Sequence, residues 1–206
     1  MKYPQSPRWI GYYTGRNLED WLQKSEKCVN HLVDYLPPYI NNILIFGCAN
    51  GRDFIPFDEK DKFDLWGCDI TPYETIKWCR QFKRLKYTET SIIDFIELSK
   101  SNENFKNLHS FLIYTQGTMM YENQRNQELF YDHCKSLGCK NFIFHEYLTG
   151  DYGGECFWLV KCKDEFIIKD YRQITGTQLI AHINLDVNEK TKTEILNFKC
   201  DNTALQ

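Results

Sequence analysis

The first residues with chemical promise surround one turn. Gly47, Ala49 and Gly51 stand at alternate positions in "GCANGRD", directly after the apolar run "NNILIF". Small residues at Gly47, Cys48, Ala49, Asn50 and Gly51 let a ligand approach the backbone, and free amides in such a turn favour an anionic group. With Arg52 next, the pattern is shorter than the G-x-G-x-x-G dinucleotide fingerprint, and no Gly-Lys-Thr or Gly-Lys-Ser follows to make a Walker phosphate loop. Asp69 and Ile70 close a second apolar run, "LWGCDI", with Asp69 18 residues after Gly51. A carboxylate there can accept hydrogen bonds from two vicinal ribose hydroxyls.

Further candidates lie at later strand ends. Ser91 and Ile92 in "TSIID" can flank an adenine ring, one polar and one apolar. Thr115 and Gln116 end "FLIYTQ" and bring polar groups beside a reacting centre. His145 ends "KNFIFH", where an imidazole can take a proton from a substrate hydroxyl. That position also suits a histidine hydrogen-bonded within the sheet edge. Asp94 fits two roles, a contact to the adenine amino group and a helix cap. His133, within "QELFYDHCKSL", reads as structural, and Met119 and Met120 read as core. Trp9, Tyr12, Tyr13 and Arg16 suit either a lid or an arm packed on the sheet.

The elements that must carry these residues alternate. Leu18, Trp21, Leu22, Cys28, Leu32 and Leu36 recur at helical spacing, with Asn17 to cap and Pro37-Pro38 to stop the helix. "ILIFG" is a buried strand, followed by a helical turn interrupted by Pro56. "FDLWGCDI" is the second strand, and Thr71, Pro72 and Glu74 open a helix with a capping box. "KYTETSII" is polar enough for an edge strand, "FLIYTQG" is strongly apolar, and "KNFIFHEY" is the fifth strand after a helix ended by Gly138. Strands alternating with helices require a mainly parallel sheet covered on both faces. Beyond residue 147, "DEFIIKDY" and "TQLIAHINL", separated by "RQITG", predict a C-terminal antiparallel hairpin. The expected organisation is a single domain over 1–206: an N-terminal arm and helix (1–40), a ligand-binding core (41–147), and the hairpin with a tail (148–206).

Bulk properties narrow the function. Charged residues are 26% and the net charge is −3, which argues against a general polyanion binder, so no nucleic acid partner is expected. No apolar run approaches the ~18 residues of a membrane span, and the N-terminus lacks the apolar centre of a signal peptide. A cytoplasmic protein is expected. The nine cysteines include no CxxC pair and sit mostly in apolar segments, so they read as reduced, buried thiols and not as a metal site.

The segments "ILIFGCANGRD", "LWGCDI", "TETSIIDF" and "FLIYTQGTMMY" together resemble the class I S-adenosylmethionine-dependent methyltransferases over roughly residues 40 to 147. The resemblance implies a three-layer Rossmann-like methyltransferase fold, S-adenosylmethionine as cofactor and no metal. Within that class, "YTGRN" (13–17) and Glu146-Tyr147 are similar to small bacterial methylases of sugar and surface-polysaccharide clusters, including pseudaminic-acid-associated ones. This implies a small-molecule substrate, a sugar or nucleotide-sugar hydroxyl. Two positions depart from the family pattern: Ile45 stands where members place a first-strand acid, and Tyr121 stands where members often hold a His. Tyr121 is therefore a second catalytic candidate beside His145. The departures keep open a non-methylating or catalytically silent cofactor-binding protein on the same fold.

Overall fold

A computed structural model of the chain describes residues 33–49, 51–72, 82–116, 118–119, 122–149, 170–174 and 177–184; from residue 145 onward the description is of backbone. Asn50, Tyr121, Met120, Glu74, the "YTGRN" element, Trp9, Tyr12, Tyr13 and Arg16 lie outside the described residues. So does most of the helix expected over 17–36, whose end is described as a 3-10 turn at Val33–Tyr35 before Pro37.

Strand β1 is Asn42–Phe46, and its last four residues are buried, as a parallel strand covered on both faces requires. A 3-10 turn, Arg52–Phe54, leads into the one-turn helix α1, Ile55–Asp58. Pro56 does not interrupt this helix. It occupies the first turn, where its missing N–H has no intrahelical partner to lose. Strand β2 is Asp64–Asp69 and β3 is Leu85–Glu89. Helix α2 is Ile92–Ser101, capped by Ser91, whose Oγ accepts from Asp94 N at 3.0 Å. Strand β4 is Phe111–Gln116. Helix α3 is Gln124–Ser136, capped by Asn123, and the chain turns away at Gly138 with φ 87°. Strand β5 is Asn141–Thr149.

The hairpin is β6 (Asp170–Ile174) and β7 (Thr177–Asn184). Arg172–Ile174 therefore belong to a strand and not to the expected five-residue connection, because Tyr171–Ile174 pair residue by residue with Ile180–Thr177.

The sheet order is β3-β2-β1-β4-β5-β7-β6. Strands β1 to β5 are parallel, and β7 runs antiparallel to both β5 and β6. The order reverses between β1 and β4, and ligands of such sheets bind outside the carboxyl ends at that point. As expected, β3 is an edge. There Lys86 Nζ lies 4.1 Å from the Trp66 ring centroid and 3.5 Å from Asp64.

Two apolar layers sandwich the sheet. On one side Phe46, Ile113 and Phe142 pack with Ile92 and Phe95 of α2 and Phe130 of α3. Phe46 meets Phe95 and Phe130 edge-on, at centroid distances of 4.9 and 4.8 Å. On the other side Ile43, Ile45 and Tyr114 pack with Val33, Phe54 and Phe57. Asn42 closes the amino end of β1 by bonding Ser110 Oγ (3.0 Å) and Trp66 Nε1 (3.1 Å).

Candidate functional site

Register brings the sequence-predicted strand ends into one row. Phe46 is opposite Cys68 on β2 and Thr115 on β4. One residue further out, Asp69 is opposite Glu89, and Gln116 is opposite His145. Gly47 follows Phe46 at the centre of that row.

The turn after β1 has three described residues in the left-handed region: Gly47 (φ 66°), Ala49 (φ 47°) and Gly51 (φ 81°). At Gly47 the glycine is doubly required, since a Cβ would lie 1.9 Å from Thr118 Oγ1. At Ala49 the conformation costs about 1–2 kcal/mol, so something must hold it. That is Asp69, whose Oδ2 accepts from Ala49 N at 2.8 Å.

Asp69 is 7% exposed, and its Oδ1 accepts from Thr71 N at 2.8 Å. Burial pushes its carboxyl above the ordinary range, while hydrogen bonds from the amides of Ala49, Thr71 and Ile70 and from the Thr71 hydroxyl pull it back. This side chain thus anchors the turn to β2.

The other turn amides are also used. Gly47 N and Cys48 N donate to Cys68 O at 2.8 and 3.4 Å, and Gly51 N donates to Cys48 O at 2.7 Å. The expectation of free amides for an anionic group is therefore corrected: among the described residues, every N–H of this turn is bonded within the protein. Among the described residues no amide of this turn is left for a phosphate, and the Asp69 side chain lies behind it.

The remaining candidates divide. Ile70 is 38% exposed, an apolar surface at the end of β2. Ser91 is half-buried and spends its hydroxyl on the α2 cap, so the cap is Ser91 and Asp94 sits in the first turn. Cys48, Ile92 and Thr115 are buried at 1%, 4% and 0% exposure, with Cys48 and Ile92 in the two cores. Met119 is buried in the core, and His133 is structural as read, with Nε2 2.6 Å from Ser99 Oγ between α3 and α2. Ile45 is fully buried.

The described cysteines Cys48, Cys68, Cys134 and Cys139 are buried free thiols. Burial pushes Cys68 and Cys134 up strongly and Cys139 to about 12, so none of these three is a thiolate at neutral pH. Among the described residues no His, Cys, Asp and Glu form a group able to hold a metal. No described helix is long and apolar enough to cross a membrane.

Sequence reading missed Thr118, which packs over Gly47 while its Oγ1 donates to Phe46 O at 3.3 Å. It also missed Gln127 of α3, which bonds the segment after β4. No local signal marks either; both contacts join residues from different elements.

No family model matches the sequence, and no curated protein matches it. Solved structures do. A TehB-like SAM-dependent methyltransferase from Corynebacterium glutamicum superposes with a TM-score of 0.58 at 15% identity, covering 87% of this chain and 99% of that one. A SAM-dependent methyltransferase from Aquifex aeolicus gives 0.55 at 11% identity, over 88% and 100%. The magnesium protoporphyrin IX methyltransferase of Synechocystis, solved with bound SAM, gives 0.54 at 11% identity, over 86% and 90%. At these identities the likeness is one of fold: the chain has the three-layer Rossmann-like fold of these methyltransferases.

Proposed function

We propose that the protein transfers a methyl group from S-adenosylmethionine to a small molecule, and that the acceptor is a hydroxyl of a sugar or surface-polysaccharide precursor. The observation that carries the cofactor reading is the turn with its amides spent on the protein and the Asp69 carboxylate behind it. Such a turn suits a nucleoside bearing a positive centre and no phosphate. Among the described residues it leaves no free amide for the pyrophosphate of NAD, whereas Asp69 would serve the ribose of either ligand.

The residues fit that group. Ile70 offers an apolar face to the base. A ribose diol arriving at Asp69 exchanges with the Thr71 hydroxyl, the one donor there that is not backbone. Ser91, Ile92, Thr115 and Gln116 stand at or just after the neighbouring strand ends, and in this reading they and Asn50 would complete the cofactor site.

The cofactor supplies a methyl already activated on a sulfonium. The protein's part is to align the acceptor oxygen with the carbon–sulfur bond, worth up to about 7–11 kcal/mol. When bound, the cofactor would give up that methyl to the acceptor oxygen and keep the carbon–sulfur electron pair as S-adenosylhomocysteine. The hydroxyl proton passes to His145 Nδ1 or Nε2, or in the reserve reading to Tyr121. His145 is one strand from Gln116 and in its row. A base here is worth about 10²–10⁴-fold. A cytoplasmic location accords with a small-molecule reaction.

The second reading, a silent cofactor-binding protein, is favoured by Ile45, which puts a buried aliphatic side chain where the resemblance implies an acid. Calorimetry with S-adenosylhomocysteine and with NADH, followed by mass analysis of products, separates these. Binding of S-adenosylhomocysteine with methylated product supports the proposal, and binding without product supports the silent reading. NADH binding with no response to S-adenosylhomocysteine overturns both. His145→Ala should lower turnover about 10²-fold or more with unchanged S-adenosylhomocysteine affinity. Unchanged turnover there, with a loss in Tyr121→Phe, transfers the base to Tyr121.

A further inference from the structure

The segment between β4 and α3 is fastened at both ends. On the β4 side, the Thr118 side chain fills the space over Gly47. On the α3 side stands Gln127, 1% exposed. Its Nε2 donates to Met119 O at 2.8 Å and to Glu122 O at 2.9 Å. The two carbonyls bracket residues 120 and 121. Glu122 N closes the same turn on Met119 O at 3.0 Å, and Asn126 Nδ2 holds Glu122 Oε2 at 2.8 Å.

Two carbonyl partners fix the orientation of the Gln127 amide, because the flipped form would set oxygen against oxygen twice. Oε1 is then a buried acceptor that meets no donor among the described residues. Burying an amide with one atom unsatisfied is unfavourable. An aliphatic side chain would fill this volume at the helix–sheet contact without that penalty. What it would not do is tie Met119 and Glu122 together.

We propose that Gln127 is a positioning residue: by tying Met119 and Glu122 to α3 it clamps Thr118 over the Gly47 turn, so that this side of the turn is held from α3. The inference rests on reading that turn as the cofactor seat. The clamp acts through the chain Gln127–Met119–Thr118–Gly47 and touches no reacting atom.

The test uses the full chain as wild type, Gln127→Met and Gln127→Glu. Methionine keeps the volume and removes both bonds. Glutamate keeps the shape and sets a second oxygen against the carbonyls, so it tests the clamp if the methionine variant folds poorly. Hydrogen–deuterium exchange is read on peptides spanning 117–123 and, as internal reference, on β1 and β4. S-adenosylhomocysteine affinity is measured on the same samples. The clamp predicts exchange at least about tenfold faster in 117–123, unchanged exchange in β1 and β4, and affinity about tenfold weaker. Exchange rising equally in loop and strands would make Gln127 a general packing residue and overturn the proposal. So would a loosened loop with wild-type affinity, or an unchanged loop. If wild type itself does not bind S-adenosylhomocysteine, the cofactor reading fails alone, and the exchange pattern still decides whether the clamp exists.

Discussion

Within four residues, the chain passes from one kind of construction to another. From Ile43 to Phe46 every side chain is buried and every backbone group lies in a parallel ladder. From Gly47 to Gly51 the described residues include three in the left-handed region, held by specific atoms on β2 and after β4. The strand is stabilised by many small contacts, so loss of one side chain leaves the arrangement in place and lowers its stability. The turn is stabilised by few contacts, so loss of one changes its shape. The first plan suits a scaffold, and the second suits a site whose backbone must hold one conformation.

That contrast can be broken in order of severity. Phe95→Ala removes a fully buried ring that meets Phe46 and Phe105. It should cost about 3–5 kcal/mol in urea denaturation, with S-adenosylhomocysteine affinity of the folded fraction retained. Gly47→Ala should cost about 2–4 kcal/mol, combining left-handed strain with the contact to Thr118. It should also abolish cofactor binding, which Phe95→Ala does not. Adding Thr118→Ala should recover part of the steric cost, since the Cβ at position 118 would still lie 2.9 Å away, and leave the strain.

Asp69→Asn comes next. It trades a charged acceptor for an amide that faces donors on several sides, at about 1.5–3 kcal/mol. Its pH dependence has a definite sign. An acid whose folded pKa is raised takes up its proton more readily in the fold, so its contribution is fully present below the ordinary value of 3.8 and is lost as pH climbs through the raised one. Denaturation from about pH 4 to pH 7 should therefore show the stability advantage of wild type over Asp69→Asn shrinking as pH rises. A gap that widened with pH would mean that the hydrogen bonds outweigh burial. The smallest effect is Ala49→Gly, which should relieve strain and stabilise by about 1 kcal/mol or less, read as a rise in Tm.

Much of the scaffold was legible because its signals are local. β1, β2, β4 and β5 are continuous apolar runs, and β3 is polar because it is an edge. Pro56 was misread because its effect depends on where the helix begins, which the turn before it decides. The hairpin strand was misplaced because Arg172 and Gln173 carry no apolar signal, and their pairing with β7 is what makes them strand. The candidate residues were legible as strand ends, and less so in what they contact. Asp69 was found as a strand-end carboxylate, but its donors come from the turn 20 residues earlier. Cys48, Ile92 and Thr115 were found as strand-end neighbours, but which face such a residue takes depends on how the chain leaves the strand.

Among the described residues β3 has a partner on one side only, and that has a consequence of its own. A strand with an unpaired side is a template on which other chains can assemble into aggregates. Here β3 is only five residues long, and Lys86, its second residue, is drawn to Trp66 and Asp64. A foreign strand docking there would have to strip water from that ammonium and lie against it. The lysine that completes the Trp66 contact thus also raises the cost of adding a strand on that side.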